Sequence, residues 1–380
     1  MLLIKNALLY TMEDEAPFKG DILIREGKIE QVGCDLKADG AEVIEASGLV
    51  ATPGLIDAHL HTGGFFEDTP GDLNEMTDPV TPQMDAIHAI NVKAKDFLEL
   101  SKNGITAGCF IPGSGNVIGG TGFVAKTAGK DLKEMVVRHP AVMKCALGIN
   151  PKGYGKRGQA PMTRMGVAEL LRDALRKAQA YLKKKEAAGE DTEKLPPFDA
   201  KCEALIPVLK REIPLKVHCE QFDMLTTISI AKEFGCEYTI EHAWASNLYA
   251  DELVEGGGSI CFGPIQIPEG TGELTGGDVG MVRELDERGL NVCLITDGPL
   301  FGAEVLLISA GEAVRYGVPH DRALRMVTIN AAKTLHVEDR MGSLKPGKDA
   351  DIVLWSAVPA LDTAARVLLT IVDGKVVYRG

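Results

Sequence analysis

The contrast between the ends of the chain and its middle most narrows the folds open to it. Residues 2–50 read as short strands with turns: Leu2–Tyr10, Gly20–Arg25, Lys28–Val32 and Ala41–Glu45. Asp21-Ile22-Leu23-Ile24 followed by Glu26-Gly27-Lys28 has the form of a hairpin with its turn glycine. The other end has the same character. Asp349–Trp355 is one strand, and Val367–Val372 with Val376–Arg379 forms a hairpin around Asp373-Gly374. Between the ends, residues 53–340 alternate strand and helix signals, as a (β/α)8 barrel demands. The economical arrangement is an α/β fold: a TIM-like barrel over 53–339, and a small β-sandwich domain built from both termini, 1–52 plus 340–380.

Seven barrel strands are legible: Leu55–His59, Ile105–Ile111, Val142–Leu147, Leu215–Cys219, Tyr238–Glu241, Ser259–Phe262 and Asn291–Thr296. The eighth is expected near Gly115–Ala125, where glycine obscures the pattern. Helices are expected over Thr81–Lys102, Met165–Ala188, Met224–Phe234, Val279–Arg288, Ala303–Tyr316 and Asp321–Ala332. The Lys- and Glu-rich run Arg172–Lys194 reads as a solvated helix face.

At 380 residues and 45% hydrophobic content the chain can bury a core of barrel size plus a second, smaller one. Its net charge of −13 argues against a nucleic-acid or anionic-membrane surface. Met1–Ile4 is too short for the apolar region of a signal peptide, and there is no apolar run of about 18 residues that would span a bilayer. The eight cysteines form no CxxC pair, and several lie in apolar strand-like runs, as expected of reduced core residues in a cytoplasmic protein.

Histidine is scarce, at eight residues, and its placement carries the chemistry. In Leu49–Gly63, LVATPGLIDAHLHTG, an apolar strand ends in Asp57-Ala58-His59-Leu60-His61. Strand side chains alternate faces, so His59 and His61 point the same way, with Asp57 one step earlier on that face. Two imidazoles there suit one metal ion, zinc or a neighbour of it. Three later strands also end in polar residues. His218 and Glu220 share a face in Leu215–Glu220, His242 closes the next strand, and Asp297 closes Val292–Asp297. Each alone is an ordinary polar strand end; their joint occurrence points to one site, because barrel active sites sit at the C-terminal ends of strands.

The PGLIDxHxH stretch, the Thr296-Asp297-Gly298-Pro299 run and GSLKPGKDADIVLW (342–355) resemble the amidohydrolase superfamily of metal-dependent hydrolases. Within it the chain is most similar to the imidazolonepropionase and Xaa-Pro dipeptidase-like branch. The resemblance implies His59, His61, His218, His242 and Asp297 as metal ligands, and one or two divalent ions per chain, zinc first among them. Family members differ in the group supplied by the fourth strand. Here Met143, Cys145 and Leu147 form an apolar face, so Lys144 points into the barrel. Carboxylation to an anionic ligand and a salt bridge to an interior acid are both open for it. Lys152, beyond the strand, is better placed to meet substrate than metal.

The implied activity is hydrolysis of a C–N bond, in an amide, a cyclic amide or a dipeptide-like molecule, by a hydroxide formed on the metal. Asp297 would move the proton and the metal or His242 would polarise the carbon. Glu220 could protonate a ring nitrogen, which would favour deaminase or cyclic amide substrates, or pair with Lys144 or Lys216. The glycine-rich run 112–122 lacks a phosphate-loop pattern; it reads either as a cavity loop, with Asn116 or Thr121 against substrate, or as a structural turn. A small-molecule substrate and a homo-oligomer are expected. A deaminase and a metal-free scaffold are the alternatives.

Overall fold

The computed structural model describes residues 1–14, 16–65, 71–265 and 277–380. The N-terminal segment forms β1 (Leu2–Leu9), β2 (Phe18–Arg25), β3 (Lys28–Gly33), β4 (Glu42–Glu45) and β5 (Val50–Pro53). The barrel strands are β6 (Leu55–Leu60), β7 (Ile105–Phe110), β8 (Ile118–Lys126), β9 (Val136–Ala146), β10 (Leu215–Cys219), β11 (Tyr238–His242), β12 (Ser259–Phe262) and β13 (Val292–Leu294). The chain ends in β14 (Ile352–Trp355), β15 (Val367–Val372) and β16 (Lys375–Arg379).

Two eight-stranded sheets result. One runs β16-β15-β14-β5-β1-β2-β3 with β4 beside β1, so the two termini share it through the antiparallel β5–β14 pair. The hairpin turn between β15 and β16 places Asp373 and Gly374 at φ 47° and 72°, the left-handed pair that a tight Asp-Gly turn needs. The other sheet runs β6 to β13 in sequence order and closes where Leu60 bridges Gly298 and the His61 amide donates to the Gly298 carbonyl at 2.6 Å.

Alternation along β14 joins the two sheets. Ile352 and Leu354 enter the apolar core of the terminal sheet, while Val353 and Trp355 enter the barrel core. Among the described residues no helix is long and apolar enough to cross a membrane.

The structure departs from the sequence expectation in three places. The obscured strand, β8, is present at Ile118–Lys126, but it runs antiparallel to both neighbours, as a return stroke between β7 and β9. The expected helix over Thr81–Lys102 is confined to Lys95–Lys102. Its first half pairs with β8 instead: the Thr81 amide donates to the Ile118 carbonyl and the Thr121 amide to the Met84 carbonyl, both at 2.8 Å. A backbone committed to a strand edge cannot also close helical bonds. The helix over Asp321–Ala332 splits into His320–Met326 and Ile329–Thr334, because the Val327 carbonyl between them accepts the Ile56 amide at 2.9 Å.

A buried ion cluster seats the terminal sheet on the barrel. Lys126, 1% exposed at the end of β8, reaches Asp349 at 3.0 Å and Asp373 at 3.2 Å and also bonds Asp351. Asp349 further contacts Lys28 and Arg340. Removing one partner of such a pair leaves uncompensated buried charge, a loss of about 3–5 kcal/mol. Lys126→Ala should therefore lower the free energy of unfolding from urea titration by that amount; an unchanged value would show that the cluster does not join the sheets.

Candidate metal centre

The barrel strands deliver the predicted residues to one end. His59 lies on β6 and His61 just beyond it, His218 on β10, His242 at the end of β11 and Asp297 after β13. All four histidines are buried. His59 Nε2 and His61 Nε2 are 3.3 Å apart, and Asp297 Oδ1 lies 3.3 and 3.2 Å from them. The His242 ring centroid is 5.0 Å from that of His59 and 4.4 Å from that of His218.

The strands are closed and bent to achieve this. Asp57 accepts from the His59 amide at 3.0 Å, and from the Thr296 amide at 3.2 Å and hydroxyl at 2.6 Å, which ties the first barrel strand to the last. Burial raises the Asp57 carboxyl to about 6 despite these donors. Asp57 is therefore a clamp behind the ligands. Glu241 and His242 would face opposite ways on a regular strand, yet both reach the centre. The left-handed backbone of His242 (φ 70°) and Ala243 (φ 53°) breaks the alternation, and Asp297 (φ 58°) ends its strand in the same way. Such conformations cost of order 1–3 kcal/mol each and cluster at functional sites.

The rear nitrogen of every ring meets an oxygen acceptor. His59 Nδ1 lies 2.7 Å from Glu241 Oε2, His61 Nδ1 3.0 Å from the Ile111 carbonyl, and His242 Nδ1 2.8 Å from the Gly263 carbonyl. His218 uses its other nitrogen, with Nε2 3.1 Å from Glu220 Oε1. Acceptors behind the rings place the N–H there, so the inward nitrogens present lone pairs. Burial holds His61, His218 and His242 below the usual histidine range, in the neutral form a metal needs. The inward His242 Nε2 is buried with no hydrogen-bond partner among the described residues. Lone pairs of His59, His61 and Asp297 facing one another repel unless a cation lies among them, so the donor set fits a divalent metal. It is a set of imidazoles and one carboxylate, which suits zinc.

Lys144 projects into the barrel, fully buried, and donates to Ser114 Oγ at 3.0 Å; Ser114 in turn lies 3.2 Å from His218 Nδ1. Burial lowers its ammonium to about 8, and the charges of Glu241 and Asp297 only partly oppose that. Among the described residues no carboxylate forms an ion pair with it. The interior acid pairs with Lys216 instead, at 2.8 Å from Glu241 Oε2.

Glu220 takes neither lysine as partner in these contacts. Its Oε1 holds His218 and its Oε2 accepts the Ile149 amide at 3.0 Å, a backing role for a ligand.

Polar side chains of the glycine-rich run and of the strand after it bond backbone carbonyls of the 75–84 segment. The Asn116 amide donates to the carbonyls of Glu75 and Asp78 at 2.7 and 2.8 Å, and the Thr121 hydroxyl to that of Met84 at 3.3 Å. The Asn116 amide nitrogen and the Thr121 hydroxyl thus help hold the segment between β6 and the Lys95–Lys102 helix, while Asn116 Oδ1 has no hydrogen-bond partner among the described residues. Lys152 lies in the 3-10 turn Pro151–Arg157, beyond β9.

Sequence reading missed Glu241 and Ser114, and considered Lys216 only as a partner of Glu220, whereas it pairs with Glu241. The signal for that pair was present: a lysine in the middle of a buried strand requires a carboxylate on a neighbouring strand.

A model of the Amidohydrolase family matches residues 180–377. The crystal structure of an amidohydrolase from Thermotoga maritima MSB8 superposes with a TM-score of 0.95 and 37% identity, covering 100% of both chains. Amidohydrolase tasK of Hapsidospora irregularis is 28% identical over 98% of this chain, which spans only 42% of that longer protein. A 5'-deoxyadenosine deaminase of Methanosarcina mazei is 27% identical over 100% of this chain and 93% of its own length. With the family model covering just over half of the residues and a full-length structural relative at 37% identity, the chain belongs to the Amidohydrolase family.

Proposed function

We propose that the protein is a metal-dependent hydrolase that opens a C–N bond, amide or cyclic amide, in a small molecule. The observation that carries this reading is the set of four buried imidazoles, each with one nitrogen on an oxygen acceptor, with the free Nε2 atoms of His59 and His61 gathered against Asp297. His59, His61 and Asp297 would hold one ion, and His218, His242 and Lys144 a second. Bound there, a divalent ion supplies Lewis acidity and lowers the pKa of water to about 7.

The chain's own groups do the rest. Asp297 Oδ1 lies 3.3 and 3.2 Å from the Nε2 atoms of His59 and His61, placed beside the ion they would hold. From there its carboxylate can take a proton from the attacking water and return it to the leaving nitrogen. Glu220 and the Gly263 carbonyl hold His218 and His242 in direction. No serine or cysteine nucleophile is needed, and the Gly113-Ser114-Gly115 run serves to carry Ser114 to Lys144 and His218.

For Lys144 the reading is carboxylation. A buried lysine with a hydroxyl neighbour and no ion-paired carboxylate among the described residues sheds its unpaired positive charge by adding its neutral amine to carbon dioxide, with loss of a proton, and becomes an anionic oxygen ligand. If so, Lys144→Ala should lower the metal content from two ions per chain toward one, measured by elemental analysis of purified protein. An unchanged count would assign Lys144 a structural role.

Deamination at an amidine-type carbon is the second reading, favoured by the full-length deaminase relative from Methanosarcina mazei. A screen of dipeptides, N-acyl amino acids, cyclic ureides and adenine nucleosides separates the two, because only deamination releases ammonia from the exocyclic position. On whichever substrate turns over, Asp297→Asn should reduce kcat by about 10²–10⁴-fold while the histidines retain most of the metal. Near-normal kcat in that variant would refute the proton-transfer role.

A further inference from the structure

His61 and His242 are backed by main-chain carbonyls, which any sequence could supply. His59 is backed by a charged side chain that had to be built into the barrel. Glu241 lies one residue before His242 and is fully buried. Both of its oxygens are engaged. Oε2 receives His59 Nδ1 at 2.7 Å and Lys216 Nζ at 2.8 Å, while Oε1 receives the Thr239 hydroxyl. With its oxygens thus occupied, Glu241 is a backing group and not itself a ligand.

The supporting layer is set by strand register. Lys216 precedes His218 by two residues on β10, and so lies on the same face one layer deeper. It pairs across to Thr239 on β11, two residues before Glu241. Its ammonium also lies 3.4 Å from Cys261 Sγ, which is itself 3.4 Å from Cys293 Sγ. Burial pushes the Cys261 thiol well above its ordinary value, so it is neutral, and Glu241 is the countercharge within ion-pair distance of Lys216.

A stability role accounts poorly for this arrangement. Taking two charges out of water costs several kcal/mol each, and apolar pairs of similar volume replace buried ion pairs with neutral or favourable effect. A carboxylate behind a metal-binding imidazole, by contrast, fixes the tautomer and the ring direction and strengthens the ligand.

We propose that Glu241, seated by Lys216 and Thr239, is a positioning residue that holds His59 with Nδ1–H to the rear and Nε2 aimed at the metal. This rests on the reading of His59 as a ligand. The pair is a second tier under the metal centre, and its function is metal affinity.

The test is zinc binding by chelator-stripped full-length protein, measured by competition with a chelating dye. Glu241→Gln, which keeps the shape, should weaken zinc binding by about 10–100-fold. The double variant Lys216→Met/Glu241→Leu replaces the ion pair with apolar groups. It should melt at or above the wild-type apo protein and still show the same loss of affinity, a combination that a purely structural pair would not give. Wild-type zinc affinity in either folded variant overturns the proposal. His59→Ala/His61→Ala serves as the control. If that variant binds zinc as the wild type does, the metal reading itself fails; if it loses zinc while Glu241→Gln does not, only the positioning role fails.

Discussion

The closure of the barrel between its first and last strands is the contact on which the site depends. Asp57 on β6 binds the backbone and hydroxyl of Thr296, 239 positions later, and the His61 amide reaches the Gly298 carbonyl just beyond. Those bonds set His59 and His61 beside Asp297. Without them a histidine pair and a carboxylate from opposite ends of the barrel sequence would not share a centre. Asp57 is fully buried, and burial raises its carboxyl to about 6. The closing bond is therefore built on a group that water would otherwise solvate, and its several donors offset that cost.

Around this closure the protein arranges an oxygen acceptor behind each of its four imidazoles. Two are strand-end carbonyls, of Ile111 and Gly263, and two are carboxylates, Glu241 and Glu220. Their common effect is to choose the tautomer of each ring, so the inward nitrogens are lone pairs before any ion arrives. Left-handed backbone at His242, Ala243 and Asp297 is strain held in place by the surrounding core. The site is preorganised, and its ordering is a cost met in folding rather than in binding.

Much of this was legible in the sequence because the candidate ligand residues end strands. Period-two alternation put His59 and His61 on one face, and apolar runs ending at His218, His242 and Asp297 marked where the rest would be. The direction of β8 was not legible. Its glycines allow close packing against the 80–85 segment; Gly120, at φ 130°, leaves no room for a side chain beside the Met84 carbonyl. That long-range pairing also overrode the helix pattern after Thr81. For Asn116 and Thr121 the sequence leaves a cavity role and a structural turn both open, because the backbone carbonyls they bond are distant in sequence. Glu241 was hidden beside its ligand neighbour, because a regular strand would have turned one of the two away.

The central claim is that the inward lone pairs of His59, His61, His218 and His242 together with Asp297 form the metal site. Anomalous diffraction at the zinc edge from zinc-loaded crystals tests it most directly. The account predicts a peak about 2.0–2.1 Å from Nε2 of both His59 and His61, within reach of Asp297, and a second peak beside Nδ1 of His218 and Nε2 of His242. Zinc bound away from these atoms, or rings turned so that Nδ1 of His59 and His61 faces the metal, would contradict it.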